Sequence, residues 1–498
     1  MWEMRLRFGM RTARWAAPAQ SQRGYTGIMP GFHVENFGCR AARADGEAVA
    51  ERLLASGHSM RQPFEAEVVL VNTCSVTAEA DRAARAYIRR THRLNPEARI
   101  VVTGCYAQRA PEELARLSGV AAVVGNSHKA LAPEIAGRLV SDADPDFIPI
   151  QSIHGAGTAA RIFVDDRFAH SFLEETQLVP GEQTRPNLKI QEGCGNRCTF
   201  CVIPFTRGPS RSLSQDAVIR QVRAFVAAGG NELVLSGINL GRWGRDLAEP
   251  GDKKRSTLAG LVREIFAGTD LPRLRLSSIE PMDWDEDMIE LTAEFGGKRL
   301  CRHAHLPLQS GSDAVLRRMH RRYRPWHYAG KVVSLVRAAG PDLTLGADVM
   351  VGFPGESDTE FEETLELVRA LPFGYLHLFP FSPRPGTRGQ ALHEANPVSA
   401  EAVQDRMAAL RSLAAEKMRA HRERFAGSGM ECITLRTPAE MAGHGQTQAL
   451  TENFLPVQIE GDYAANRLLR IQVSGLNADR TLKAKVCPSA GQGLEAPF

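Results

Sequence analysis

The run Gln191-Glu192-Gly193-Cys194-Gly195-Asn196-Arg197-Cys198-Thr199-Phe200-Cys201 decides how this chain is read. It follows directly on an apolar, strand-like stretch at 188–190 and sets Cys194, Cys198 and Cys201 on one loop at a CxxxCxxC spacing. Glycines in the loop allow the tight turns with which three thiolates wrap three corners of an iron–sulfur cube. No fourth cysteine stands nearby, so one iron keeps an open position able to chelate a small molecule. The duller alternative is zinc, which normally takes four protein ligands, and the loop holds no histidine.

Working outward from this loop, apolar runs at 233–236, 274–278, 303–306, 345–351 and 375–381 recur with amphipathic helical text between them. With 188–190 they make six β-α units and predict an α/β barrel short of the full eight, its active site at the C-terminal strand ends. A long helix is expected over 400–425. Upstream, strands at 32–37, 68–72, 100–103 and 121–124 alternate with helices at 45–56, 78–93 and 111–117, which predicts a doubly wound parallel sheet. Residues 142–180 read as a linker with one short strand at 160–164. After 427, β-rich runs at 431–435, 454–459, 468–473 and 481–486 predict a small antiparallel barrel.

Nine cysteines in 498 residues are too few for a disulfide scaffold. Cys39, Cys74 and Cys105 each follow a predicted strand of the first sheet, and the C-terminal ends of parallel strands open onto one crevice. Singly, each is best read as a buried small hydrophobe. Together they predict a second three-thiolate site, again with a corner left open. Cys301, Cys432 and Cys487 have no such company and read as structural.

Formal net charge is +4, and residues 1–30 alone supply it, with five arginines against Glu3. That segment is read as a disordered leader, or as sequence upstream of a start near Met29, in preference to a targeting peptide. Nucleic-acid affinity must then come from local patches. Arg82, Arg85, Arg89 and Arg93 share one face of a predicted helix, and Arg317 and Arg321 stand in a second cluster beside Tyr323 and Trp326. No apolar run is long enough to span a bilayer, so no membrane partner is expected. The turns at Gly229-Gly230 and at 351–356 lack the lysine and spacing of a triphosphate loop, which excludes a kinase or ATPase. His303 and His305 share a strand face and, lacking a third ligand, read as barrel lining.

These residues carry a resemblance. A CxxxCxxC loop after the first strand of a six-strand barrel resembles the radical S-adenosylmethionine superfamily, and a preceding three-cysteine domain with a terminal β module is similar to its methylthiotransferases. The stretches Asn72-Thr73-Cys74-Ser75-Val76-Thr77, Thr103-Gly104-Cys105-Tyr106-Ala107-Gln108, Ser236-Gly237-Ile238-Asn239-Leu240-Gly241 and Leu306-Pro307-Leu308-Gln309-Ser310-Gly311-Ser312 resemble the branch that acts on threonylcarbamoyladenosine in tRNA. Thr451-Glu452-Asn453-Phe454 resembles a TRAM signature, whereas Arg40-Ala41-Ala42-Arg43-Ala44-Asp45 departs from the Asn usual after Cys39.

The resemblance implies a leader at 1–30, a methylthiotransferase domain at 31–141, a linker at 142–180, a radical S-adenosylmethionine core at 181–415 and a TRAM barrel at 425–490. It implies two 4Fe-4S clusters, one on Cys194, Cys198 and Cys201 and one on Cys39, Cys74 and Cys105, with S-adenosylmethionine as radical source and methyl donor. A 5′-deoxyadenosyl radical takes hydrogen from carbon 2 of the modified adenine, and the second site delivers a methylated sulfur. Ser278, Glu280, Gln309 and Asp348, at barrel-strand ends, are expected contacts of S-adenosylmethionine or substrate. Expected partners are the tRNA anticodon stem-loop, an electron donor such as flavodoxin or ferredoxin, and a sulfur donor, in the cytoplasm. Alternative readings keep the chemistry but act on isopentenyladenosine or a ribosomal-protein aspartate, or make the chain a zinc-stabilised RNA-binding protein.

Overall fold

The computed structural model describes residues 31–140, 160–168, 173, 185–247 and 256–487. The basic leader and most of the expected linker lie outside them. The first sheet contains β1 (Gly31–Asn36), β2 (Ser59–Met60), β3 (Val68–Thr73), β4 (Arg99–Gly104), β5 (Val120–Gly125) and β6 (Arg161–Phe163). Its order is β2-β1-β3-β4-β5-β6, and every pair is parallel. Residues along β3 alternate between two cores. Val69 and Val71 join Ile88 and Ile100 on one face, while Val68 and Leu70 join Phe32 and Leu53 on the other. Strand β6, expected within the connecting segment, completes this sheet. Helix α1 (Arg40–Ala55) starts five residues earlier than its periodicity suggests, which puts Cys39 at its N-cap. Helix α2 (Ala78–Leu94) is capped by Thr77, whose hydroxyl accepts from the Ala80 N–H.

The second unit has the six expected strands: β7 (Asn187–Glu192), then, after the short antiparallel β8 (Arg211–Ser212), β9 (Glu232–Gly237), β10 (Arg273–Leu276), β11 (His303–His305), β12 (Thr344–Val351) and β13 (Phe373–Pro380). Strands β7, β9 and β10 pair in parallel, as do β11, β12 and β13. Two backbone bonds join the two groups: Cys301 N–H donates to the Leu274 carbonyl at 2.9 Å, and Ile279 N–H to the His305 carbonyl at 3.1 Å. The result is an open α/β barrel around one large apolar core.

A long helix, Ala400–Glu423, packs against β13 and places buried His421 2.8 Å from the Thr344 hydroxyl. Burial, then the charges of Arg424 and Arg422, push His421 down to about 4. Its folded value lies below the unfolded one, so its contribution is whole above pH ~6.5 and is lost as pH falls toward the folded value. Lowering the pH from 7 to 5 should therefore cost about 2 kcal/mol through this residue. Urea unfolding at both pH values checks it, and His421→Gln should shrink the loss.

The third unit is a closed barrel of β14 (Gly429–Thr434), β15 (Gln446–Thr451), β16 (Pro456–Glu460), β17 (Leu468–Leu476) and β18 (Leu482–Val486), in the order β14-β15-β16-β18-β17. Strand β15 has no counterpart in the sequence reading, because Gln446-Thr447-Gln448 breaks the apolar pattern. The barrel is antiparallel except where β16 and β18 close it in parallel. Thr451-Glu452-Asn453-Phe454 docks it on the second unit: Glu452 accepts from Arg302, Asn453 donates to the Asp342 carbonyl, and the Thr451 carbonyl accepts from Arg275. Among the described residues no helix is long and apolar enough to cross a membrane.

Candidate active site

Strand β7 delivers the cysteine loop. Gly193 has φ +72°, and a Cβ there would lie 1.9 Å from the Pro209 carbonyl oxygen, so only glycine admits this turn. The Cys194 N–H donates to the Gly208 carbonyl at 3.1 Å, and that of Cys201 to the Cys198 carbonyl at 3.2 Å. The sulfurs themselves are acceptors: Cys194 from the Asn196 N–H at 3.4 Å and Asn239 Nδ2 at 3.6 Å, Cys198 from Arg321 Nη1 at 3.4 Å. Burial, with Cys198 and Cys194 adding to it, pushes the Cys201 thiol up to about 12. Three crowded, half-buried sulfurs ringed by N–H donors are a poor resting place for thiols, and they fit a ligand set whose charge a metal cluster takes up.

The first sheet assembles the second triplet. Cys74 follows β3, and Cys105 opens the short helix α3 (Cys105–Arg109) directly after the adjacent β4. Cys39 follows β1, and a Cβ on its neighbour Gly38 would lie 2.7 Å from Cys74 Cβ. Burial and then the Cys105 and Cys39 sulfurs push Cys74 up to about 12. Cys105 Sγ accepts from Arg207 Nε at 3.2 Å and Asn126 Nδ2 at 3.5 Å.

Arg207 links the segment that follows the first triplet to Cys105 of the second. It ends the short helix Ile203–Arg207 that follows Cys201, and it is fully buried. Its Nη1 donates to Asp45 Oδ2 at 3.0 Å and to Glu192, and Lys129 and Lys189 bond the same two carboxylates. Three cations thus face two carboxylates in a buried network. The surplus positive charge faces Cys105, whose sulfur accepts from Arg207, which suits that sulfur to a ligand's role. Burial alone would lower Arg207, but Cys105, Glu192 and Asp45 outweigh it and hold its charge firmly.

Beside Cys39 lies a cavity of about 460 Å³, lined among others by Arg40, Ile203, Ser278, His305 and Asp348. Ser278 bonds His305 Nδ1. Asp348 accepts from His377 Nδ1 at 3.2 Å and lies 3.4 Å from His305 Nε2. Burial alone would raise Asp348, yet those two imidazoles hold it well below the usual carboxylate range. Gln309, at φ +64°, sits beneath the cavity and donates its N–H to the Asp348 carbonyl at 2.8 Å. Glu280 lies on the other side, paired with Arg321. Of the residues expected to contact S-adenosylmethionine or substrate, the fold brings Ser278 and Asp348 to the cavity wall.

Arg321 requires a correction. Expected on RNA, it is buried, with its guanidinium shared among Cys198, Glu280 and Tyr323, so it serves the sulfur and not a phosphate. Tyr323 is buried too, whereas Trp326 is 59% exposed. On α2, Arg89 and Arg93 are exposed and Arg82 pairs with Glu79, while Arg85 is occupied by Glu113 and the Tyr106 hydroxyl. Arg317 is exposed and pairs with Asp313 at 2.8 Å. Sequence reading missed Arg207 and Asn126 altogether and assigned Asn239 no role. Only the position of Arg207, six residues beyond Cys201, hinted at it.

Residues 31–125 match the family model described as Uncharacterized protein family UPF0004. Residues 188–368 match the Radical SAM superfamily, the class that the open barrel and its thiol loop define. Threonylcarbamoyladenosine tRNA methylthiotransferase MtaB of Aquifex aeolicus (strain VF5) is 32% identical over 442 residues, 88% of this chain and 99% of that protein. The tRNA-2-methylthio-N(6)-dimethylallyladenosine synthase of Cereibacter sphaeroides (strain ATCC 17025 / ATH 2.4.3) is 34% identical over 456 residues, 89% of this chain and 96% of that protein. The chain belongs to the radical S-adenosylmethionine methylthiotransferase family. In fold alone it is similar to the radical S-adenosylmethionine methyltransferase TsrM from Kitasatospora setae, with a TM-score of 0.51, 16% identity, and 70% and 73% of the two chains covered.

Proposed function

We propose that this enzyme methylthiolates carbon 2 of N6-threonylcarbamoyladenosine at position 37 of tRNA, using S-adenosylmethionine as radical source and methyl donor. The observation that carries the reading is the pair of cysteine triplets, with Arg207, on the helix that follows Cys201, bonded to Cys105. Cys194, Cys198 and Cys201 hold one 4Fe-4S cluster and Cys39, Cys74 and Cys105 the other. Bound there, the two groups supply the electron that cleaves S-adenosylmethionine and the site from which sulfur is delivered. The chain's own work is placement. Asn239 and Arg321 soften the charge on the first triplet, Arg207 and Asn126 that on Cys105. Ser278 and Asp348 meet the small molecule in the cavity, with Gln309 fixing the backbone behind Asp348. Arg82, Arg89, Arg93 and Arg317 face solvent and meet phosphates of the anticodon stem-loop. The units at 31–141, 181–415 and 425–490 divide this labour, with β6 completing the first sheet. A flavodoxin or ferredoxin supplies electrons, a separate donor renews the sulfur, and the work is done in the cytoplasm.

The 34% identity to a dimethylallyladenosine synthase favours a second reading, in which the N6 substituent is isoprenoid. Anaerobic protein should carry about eight irons and eight sulfides per chain. With S-adenosylmethionine and dithionite it should add a methylthio group, seen by nucleoside mass spectrometry, to stem-loop RNA bearing threonylcarbamoyladenosine. Modification of the dimethylallyl RNA alone would move the assignment to the second reading, and a colourless zinc protein would overturn both.

A further inference from the structure

The cavity beside Cys39 holds a cation that makes no ion pair among the described residues. Arg40 opens α1 immediately after Cys39 and lines the cavity, its Cζ 5.9 Å from the centre of the Phe454 ring. Among the described residues it makes no ion pair. The one carboxylate among the neighbouring guanidiniums is Glu232, which accepts from Arg275 at 3.0 Å and lies 3.8 Å from Arg185, so none is left for Arg40. The carboxylate on the cavity wall, Asp348, is taken by His305 and His377. Two more polar atoms on the wall, His303 Nδ1 and Ser277 Oγ, are buried without a hydrogen-bond partner.

We propose that Arg40 receives the carboxylate carried by the substituent on the target adenine's N6, and thereby selects a threonylcarbamoyl group over a neutral hydrocarbon one. This deepens the proposed function and rests on it. A threonylcarbamoyl group ends in a carboxylate, whereas a dimethylallyl group bears no charge. The substituent leaves the ring from carbon 6, and carbon 2 lies on the same edge with only N1 between. An adenine that offers carbon 2 to the triplet of Cys39 therefore brings the end of its substituent to the residue beside Cys39. A guanidinium lying against Phe454 keeps its planar fork free for two parallel N–H···O bonds to a carboxylate. An uncharged substituent would instead bury Arg40 unpaired, so rejection is built into the same residue.

The test compares stem-loop RNAs bearing threonylcarbamoyladenosine or its primary carboxamide, a neutral probe of nearly the same shape, on anaerobically loaded enzyme. Wild type should prefer the carboxylate by about 10- to 100-fold in kcat/KM, the worth of a charged hydrogen-bonded pair. Arg40→Gln should bring the ratio to within about 3-fold of one, and Arg40→Lys should keep most of it. A loss of cluster or fold in the variant would depress both substrates and leave the ratio intact, so the ratio reports recognition alone. Fluorescence-anisotropy affinities of the two RNAs for wild type, taken without S-adenosylmethionine, should show the same preference. An equal preference in wild type, or an unchanged ratio in Arg40→Gln, overturns the role of Arg40 while the proposed function stands. Failure of wild type on either RNA, with turnover of dimethylallyl RNA, overturns the proposed function itself.

Discussion

Cys198→Ala will lower S-adenosylmethionine cleavage to 5′-deoxyadenosine by more than about 100-fold, since even outer partners of a metal ligand are worth 10- to 100-fold. Cys198 stands in the middle of the loop, and its sulfur alone of the three accepts from Arg321. Alanine removes a ligand and strands a buried guanidinium whose remaining partners are Glu280 and Tyr323. Iron should fall from about eight to about four per chain, with the first triplet emptied. Cys74→Ala empties the other triplet, so iron should fall by the same amount while deoxyadenosine formation drops less than about 10-fold and no methylthio product appears. Opposite effects of two variants with the same iron loss separate the roles of the triplets. If Cys74→Ala abolished cleavage as fully as Cys198→Ala, the assignment of two distinct sites would fail.

The second large effect is on Arg207. Arg207→Met keeps the unbranched apolar stem of the side chain and removes the charge that Asp45, Glu192 and Cys105 share. Breaking one member of a buried ion network costs about 3–5 kcal/mol, because the partners stay buried with their charge uncompensated. Lys129 and Lys189 still neutralise the two carboxylates, so the cost should sit at the low end and fall mainly on Cys105. Urea unfolding measures the stability, and the ratio of thiolated product to deoxyadenosine should fall, because the residue holding Cys105 to the helix after Cys201 is gone. The pH response follows from Glu192. Burial would raise it, but Lys129, Lys189 and Arg207 hold it well below the usual range. A depressed carboxylate contributes stability above its unfolded value of ~4.3 and loses it as pH falls through the folded one. Arg207→Met raises that folded value, so less of this contribution remains, and its loss on acidification, which begins at the same unfolded value, should be complete at a higher pH. Wild-type stability in Arg207→Met, with an unchanged product ratio, would reduce the network to decoration.

Particular residues show where legibility stopped. Strands β3, β4 and β5 were readable because a parallel sheet buried on both faces needs continuous apolar runs. Strand β15 was not, since a small barrel lets Gln446 and Gln448 turn outward while Thr447 is buried against the Gly461 carbonyl. Helix α1 begins at Arg40 although its amphipathic signal starts at Asp45, because its first turn lies against the rest of the fold with Ala41 and Ala42 buried. The arginine clusters misled for a related reason. An arginine in sequence reads as surface, yet Arg207, Arg275 and Arg321 are buried where carboxylates and sulfurs from distant segments surround them.

The chain's text was enough to place Cys194, Cys198 and Cys201 on one loop, because four and three residues of separation force proximity whatever the fold. It was enough, too, to set Cys39, Cys74 and Cys105 at strand ends. Only the tertiary structure brought Arg207, from the helix after Cys201, onto Cys105, put Arg40 on the wall of a cavity beside Cys39, and turned Arg321 from the surface to a sulfur. Local spacing acts through a few bonds and survives in any reading of the chain. Charge compensation in a buried site is a sum over residues as far apart as Asp45 and Arg207, and that sum exists only once the chain has closed around it.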